Sequence, residues 1–328
     1  MVARRDNRKL EAVDSVQASE IEAQRRATHR TRRSTSRALE EILFLPVPVL
    51  DHGFIRVIDY MGDDAAIVQA ARVSYGAGTK RYRDDAALIN YLMRNRHTSP
   101  FEMCEIKLHV KLPIFVARQW IRHRTASVNE YSARYSVLER EFYTPARDQV
   151  AAQSLNNRQG RGHALAGEVA DRVIQLLVED AERAYEDYER LLRGLDEPTS
   201  KTTATGLARE LARINLTLGY YTQWYWKIDL HNLLHFVELR ASPHAQHEIR
   251  VYAEAILDVL RRWVPITHAA FVENRLQSLS LSASAVRAVT AMLAGETTED
   301  PPPGVASSEW REVKLRFGLA SGDRPARE

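Results

Sequence analysis

Cysteine is almost missing from this chain: Cys104 is the single thiol among 328 residues. No intrachain disulfide can form, so a disulfide scaffold and a cysteine-based metal cluster are excluded, and a reducing compartment fits. Long apolar runs are missing as well. No uncharged stretch approaches the ~20 residues a bilayer requires, and the N-terminus lacks the apolar stretch of a secretory signal. A cytoplasmic location is expected. No glycine-rich phosphate loop is present, which argues against a dinucleotide-binding Rossmann fold. A strong charge imbalance is lacking too. The net charge is only +3, and residues 1–40 hold ten Lys and Arg against six Asp and Glu, so the remainder carries about −1. A protein-wide field that attracts nucleic acid is therefore not expected of the folded part.

With 45% hydrophobic and 27% charged residues, the chain can bury a substantial core. Residues 1–44 are rich in Arg, Ser, Thr and Glu and read as a basic, disordered N-terminal extension; the six acidic residues among the first 40 argue against an organelle transit peptide. Residues 45–277 read as the folded domain and 278–328 as an appended C-terminal extension, with a short helical pattern, Pro301-Pro302-Pro303-Gly304 and a polar end. Within the domain, Gly53 to Asp59 reads as a strand, and Asp64 to Val73 and Asp84 to Arg96 as helices. Cys104, Ile106, Leu108, Val110 and Leu112 alternate with Glu105, Lys107, His109 and Lys111, the period of a strand with one buried face. Pro113 opens a helix as its first-turn proline. A polar, mobile stretch is expected around Ser154 to Gly162, then long helices over Leu165 to Arg193 and Lys201 to Leu216. Tyr220 to Trp226 has strand propensity, although buried helices also carry aromatics. Asp229 fits an N-cap for a helix through Arg240, and Ser242-Pro243 fits the start of another over His244 to Trp263. Strands separated by helices of varied length predict an α/β or α+β domain, with a mixed or antiparallel sheet flanked by long helices.

What the chain does have is RHRTASVNEYSARYS, Arg122 to Ser136, which gathers three arginines, a histidine and a carboxylate among hydroxyl and amide side chains. Such a run suits an anionic, phosphorylated ligand, because guanidinium offers a planar fork of donors that stays charged. A second cluster, Arg209, Glu210 and Arg213, shares one helical face; by itself it reads equally as a solvated face with an internal ion pair. A third, Asp229, His231, His235, Glu238, Arg240, His244 and His247, is dense in histidine. His231 and His235 lie one turn apart, so a metal site must be weighed, but the glutamate of H-E-x-x-H and any thiolate set are missing, and no metal is expected. Upstream, His97 to Glu102 reads as an ordinary helix-to-strand connection in which Pro100 holds Ser99 extended.

The fixed positions of R-H-R-x-x-S-x-N-E-x-S-x-R are all present, at Arg122, His123, Arg124, Ser127, Asn129, Glu130, Ser132 and Arg134, and this motif resembles the signature of the flavin-dependent thymidylate synthases. Similar blocks occur in order at His97 to Glu102, Pro113 to Trp120, Ala208 to Ile214 and Leu239 to Ile249, spanning about residues 50–272; the two ends find no counterpart in that pattern. The resemblance implies a thymidylate synthase-complementing type fold and synthesis of dTMP from dUMP, with methylenetetrahydrofolate as carbon donor, FAD as hydride carrier and NADPH as reductant. It also implies a homotetramer with shared active sites. Carried over by position, Gln119, Trp120, Ile121, Arg122, Glu130, Tyr131, Ser132, Ala133 and Arg134 line the dUMP pocket. Arg134 and Arg213 take its phosphate, and Arg240 contacts the uracil ring and favours its ionisation. Ser99, Arg122, His123, Arg124, Glu130, Asp229, Leu230, His231 and His235 touch FAD, with His97 and Glu102 near flavin or folate. Cys104 matches no catalytic position and is assigned to packing.

The chain departs from the family where Asp229 and His231 replace the common Asn and Arg, an acid and a titratable ring facing the flavin. FAD affinity is expected to weaken, and to rise on acidification. Ala133 replaces a common glycine. Two other readings stand beside the enzyme: a relative that keeps the fold without turnover, and a polyanion-binding protein using the basic N-terminal arm, which predicts steeply salt-dependent binding.

Overall fold

The structure, a computed structural model, describes residues 14–73, 85–154, 160–194 and 206–319. Its centre is a five-stranded sheet of β1 (Pro46–Val49), β2 (Gly53–Met61), β3 (Glu105–Pro113), β4 (Ser127–Glu130) and β7 (Tyr221–Asp229), in the order β1-β2-β3-β7-β4. Every neighbouring pair is antiparallel. β5 (Ala151–Gln153) and β6 (Arg161–Ala164) form a separate hairpin. With no parallel pair in the main sheet among the described residues, a Rossmann arrangement is ruled out.

Register places Ile106, Leu108 and Val110 opposite Ile228, Trp226 and Trp224. Alternation along each strand then gathers all six on one face, where they are buried. Three helices cover that face: α6 (Ile114–Trp120), α9 (Leu230–Arg240) and α10 (His247–Trp263). Trp120, Phe236 and Tyr252 deliver their rings, with Trp120 4.6 Å from Phe236, 5.2 Å from Trp226 and 5.9 Å from Tyr252 by centroid. Each such buried ring contributes about 1.5–3 kcal/mol through the area it removes from water.

The alternating pattern predicts a single buried face on β3, and here the structure differs. His109 and Lys111 are only 8% and 6% exposed. Being central, β3 is flanked on this side by neighbours long enough to cover it. Arg56 donates to His109 Nδ1 at 2.8 Å, the ring's other nitrogen meets Gln223 Oε1 at 3.0 Å, and Tyr225 stacks on it at 5.0 Å. Lys111 is matched by Glu141 and, at 3.4 Å, by Glu139.

The N-terminal segment departs from its expected disorder over residues 14–44. α1 (Ser15–Arg26) is capped by Asp14, which accepts from the amides of Val16 and Gln17 at 2.9 Å. Its Ile21 is fully buried, and Arg25 donates to the Leu43 carbonyl at 2.7 Å. α2 (Arg37–Glu40) buries Leu39, and Ser36 before it donates to the Arg262 carbonyl at 2.6 Å. Isolated apolar residues cannot build a core of their own, but they can dock on one supplied by the rest of the chain.

α3 (Asp64–Val73), α4 (Asp85–Arg94) and α7 (Gly167–Arg193) lie close to expectation, while Asp84 and residues 155–159 of the expected mobile stretch lie outside the described residues. α5 (Ser99–Glu102) replaces the extended Ser99: Pro100 sits in the first turn of a short helix, where its missing N–H costs nothing. Pro113 is the N-cap of α6 and not its first-turn residue. The long helix expected over Lys201 to Leu216 reduces to α8 (Arg209–Ala212) and a 3-10 turn, Arg213–Asn215; residues 201–205 lie outside the described residues. One turn satisfies the same three-and-four spacing as a long helix. Asp229 does cap α9, accepting from the Asn232 amide at 2.9 Å. α10 starts three residues later than expected, because Ser242 to Ala245 closes a turn of its own, the Ala245 amide donating to the Ser242 carbonyl at 2.9 Å. α11 (Pro265–Phe271) follows.

A second compact unit begins at Val272. It holds the expected short helix, α12 (Ala283–Leu293), and, where a polar end was expected, α13 (Ser307–Arg316); the unit buries Ala285, Ala288, Val305, Trp310 and Val313 together. No helix among the described residues is long and apolar enough to cross a membrane.

Candidate functional site

Trp120 fixes where the site begins. With its ring in the core, α6 ends there, the His123 amide closes the turn onto the Trp120 carbonyl at 2.9 Å, and the next side chains emerge into solvent. Ile121 is 44% exposed and β4 is exposed along its length. β4 is held only by β7, Ser127 opposite Lys227 and Glu130 opposite Trp224. Glu130 accepts from the Thr222 hydroxyl at 2.7 Å, and the Tyr131 amide continues the ladder to the Gln223 carbonyl at 2.8 Å.

The described contacts sort the sequence-predicted residues into two groups. The first joins the turn after α6 to α9. The His123 ring lies 5.6 Å from His235 and 5.5 Å from Phe236, with the Thr125 hydroxyl 3.1 Å from Nε2. Burial, and then the neighbouring His235, push the His123 pKa below its ordinary value, so the ring is neutral and offers one donor and one acceptor. Arg240, at the end of α9, donates through Nη2 to the Gln119 carbonyl at 3.3 Å. Its Nε is buried and has no hydrogen-bond partner among the described residues. Burial and the adjacent Arg122 guanidinium both lower the Arg240 pKa. A partly buried cation that feels a second positive charge and keeps an orphaned donor favours a ligand that is anionic or becomes so.

The second group joins residues 131–135 to α8. Arg134 Nε lies 3.2 Å from Glu210, and Arg209 donates to the Tyr135 carbonyl at 3.3 Å. Ala133 is buried with Tyr185, Tyr188, Ala212 and Tyr220; Ser132 accepts from the Arg134 amide at 3.4 Å. Arg213 follows in the 3-10 turn.

Three predicted residues are buried. The side chains of Trp120, Ala133 and Leu230 are in the interior, and the Leu230 amide donates to the Cys104 carbonyl at 2.8 Å. Asp229 spends both oxygens on Asn232, at 2.9 Å on its amide and 2.7 Å on its side chain. Ser99 and Glu102 lie on α5, which packs beside α9. The His97 ring is 5.8 Å from Tyr91. Burial, then Asp63 and Asp64, push the Cys104 thiol up to about 12, which leaves it inert. Among the described residues no three His, Cys, Asp or Glu side chains converge as metal ligands.

Sequence reasoning missed a buried carboxylate. Glu248, only 1% exposed, accepts from the Tyr143 hydroxyl at 3.0 Å, from Gln246 at 2.8 Å and from Arg161. The signal was present in the His244-Ala245-Gln246-x-Glu248 block, but a glutamate in a helix's first turn reads as dipole chemistry.

An antiparallel sheet flanked by a partly buried arginine with an unpaired donor, Arg240, and by the exposed arginines Arg122 and Arg124 defines a class of anion-binding α+β protein. Residues 56–266 match the family described as thymidylate synthase complementing protein. The chain is 62% identical over 310 residues to the flavin-dependent thymidylate synthase of Gluconobacter oxydans (strain 621H), covering 94% of this chain and all of that one. It is 58% identical to that of Ruegeria pomeroyi, over 93% and 99% of the two chains. Among solved structures, the UMP/dUMP methylase PolB from Streptomyces cacaoi bound with 5-Br UMP superposes with a TM-score of 0.60 at 33% identity, over 70% of this chain and 98% of that one. The chain belongs to the flavin-dependent thymidylate synthase family. The family match leaves out the residues before 56 and after 266, in line with the expectation that the ends have no counterpart in the family pattern, while the first relative matches 94% of the chain and so shares the extensions at least in part.

Proposed function

We propose that the protein catalyses the reductive methylation of dUMP to dTMP, with methylenetetrahydrofolate as carbon donor and reducing equivalents from NADPH. The observation that carries this reading is Arg240, which feels the positive charge of Arg122 and whose buried Nε has no partner among the described residues. A uracil ring set against that guanidinium gains stabilisation as negative charge develops on it, the logic of an oxyanion hole. Bound FAD supplies the hydride. This chain's residues bind and orient: Arg124, His235 and the neutral His123 ring offer donors to the flavin, while Glu130 is held in place by Thr222. Arg134 and Arg213 receive the dUMP phosphate, Arg134 exchanging Glu210 for it. Asp229 is less of an obstacle to FAD than its charge suggests, since both oxygens serve the N-terminus of α9.

Active sites shared within a homotetramer suit this chain. β4 has one neighbour, and Ile121, Val128 and Tyr131 around it are more than 40% exposed. A second subunit would cover that edge and bring the two groups of site residues to bear on one nucleotide.

The test is an absorbance spectrum with added FAD, followed anaerobically by NADPH and then dUMP with methylenetetrahydrofolate. Flavin bands that bleach with NADPH and return only with both substrates, with dTMP formed, are expected. Protein that takes up no FAD would instead be the inactive relative.

A further inference from the structure

Gln119 is one of the residues that the proposed reaction sets against the nucleotide. Its amide can present either an acceptor or two donors, and the two ends have nearly the same shape, so its neighbours decide. They form a chain that starts in the interior. Glu248 is buried, with Arg161 and the Tyr143 hydroxyl on Oε1. Burial alone would raise its pKa, but Arg161 and Gln246 pull it below the ordinary value, so the group is an ionised carboxylate at neutral pH. An ionised carboxylate has no proton to donate. Gln246 must therefore give Nε2 to Glu248 Oε2, at 2.8 Å, which turns Gln246 Oε1 the other way. That oxygen accepts from Gln119 Nε2, and Gln119 Oε1 is what remains. The chain is sealed at Glu248 and opens to solvent at Gln246 and Gln119, where a ligand enters.

We propose that Glu248 and Gln246 are positioning residues that fix the Gln119 amide with Oε1 toward the nucleotide, so that the site demands a hydrogen-bond donor from its ligand there. The inference rests on the functional reading above. Two groups of dUMP offer such a donor, the ring N3–H and the sugar 3′-hydroxyl. An acceptor at N3 would oppose the ring ionisation assigned to Arg240, so the hydroxyl is the expected partner.

The experiment compares FAD-loaded wild type with Gln246→Met, measuring Kd by equilibrium dialysis for dUMP, 2′,3′-dideoxy-UMP and N3-methyl-dUMP. Wild type is expected to prefer dUMP to the dideoxy analogue by about 5–10-fold, the scale of one hydrogen bond. In Gln246→Met that preference is expected to shrink below about twofold, with KM for dUMP rising more than kcat falls. A preference lost against N3-methyl-dUMP instead supports the same chain with the ring as donor. Unchanged discrimination in Gln246→Met against both analogues overturns it. A second arm needs no substrate. Gln246→Glu sets two carboxylates together, so its Tm should fall further below wild type at pH 8 than at pH 5.5, whereas Gln246→Met should show no such pH dependence. Equal shifts for Gln246→Glu at both pH values remove Glu248 from the chain. Wild type that holds FAD but does not bind dUMP overturns the functional reading while the Gln246→Glu arm still stands.

Discussion

Two regions crowd cations together, and the fold treats them oppositely. On the outer face of the sheet, His109 is held between Arg56 and Gln223 and Lys111 is paired with Glu141, although Arg56 itself keeps its Nε without a hydrogen-bond partner among the described residues. At the end of α9, Arg240 has no carboxylate partner among the described residues, feels the positive charge of Arg122 and also keeps a buried Nε unpaired. Charges that are buried and satisfied serve the scaffold, since leaving them unpaired would cost more than most folds can spare. A cation kept without a counter-ion is a standing cost, which a fold tolerates where a ligand offsets it. The contrast separates structural polarity from functional polarity in one molecule.

Breaking the functional side should give the largest effect. Arg240→Ala is expected to lower kcat/KM for dTMP formation by about 10²–10³, or ~3–4 kcal/mol, as loss of one charge-stabilising donor does elsewhere. FAD affinity, read from the flavin spectrum, should change far less. Turnover at the wild-type rate would remove Arg240 from the chemistry. Breaking the structural side shows instead as acid lability. Burial, with Arg56 beside it, pushes the His109 pKa from 6.5 to about 4. The ring is neutral in the folded state and protonates more readily when unfolded, so its contribution is present above about pH 6.5 and is lost as pH falls toward about 4. That is ~3 kcal/mol across the window. His109→Gln should flatten the decline in urea-unfolding stability between pH 7 and 4.5, and an unchanged slope would place the acid lability elsewhere.

Legibility followed the same division. Three strands of the central sheet, β2, β3 and β7, were readable, β3 because alternating Ile106, Leu108 and Val110 report their own periodicity, whereas β1 and β4, four residues each, were not; Asp229 announced its cap. The outer face was not, since His109 and Lys111 look solvent-facing until β2 and β7 supply partners for the first from about 50 and 110 residues away, and Glu139 and Glu141 pair with the second. α1 and α13 were missed for a related reason: Ile21 and Trp310 are lone apolar residues in polar surroundings, and only tertiary contact shows that they are anchors. In the site, side-chain types at Arg122, His123 and Arg240 pointed to anion chemistry. Burial of Trp120, Ala133 and Leu230, and the Glu248 chain, depended on packing that spacing does not encode.

The smallest expected effect tests the boundary between the two kinds of charge. Arg134 carries a motif position yet is ion-paired with Glu210 at 3.2 Å, both side chains being at least half exposed. Exposed pairs are worth only ~0–1 kcal/mol, so exchange of Glu210 for a nucleotide phosphate is cheap, but the net gain from the phosphate is reduced by the pair it replaces. Arg134→Ala should therefore weaken dUMP binding by only ~1–1.5 kcal/mol. Glu210→Gln should act in the opposite direction, tightening dUMP up to about fivefold by freeing the guanidinium. If Glu210→Gln instead weakens dUMP binding, Glu210 is holding Arg134 in its binding geometry, and the pair belongs with the structural charges and not with the exchangeable ones.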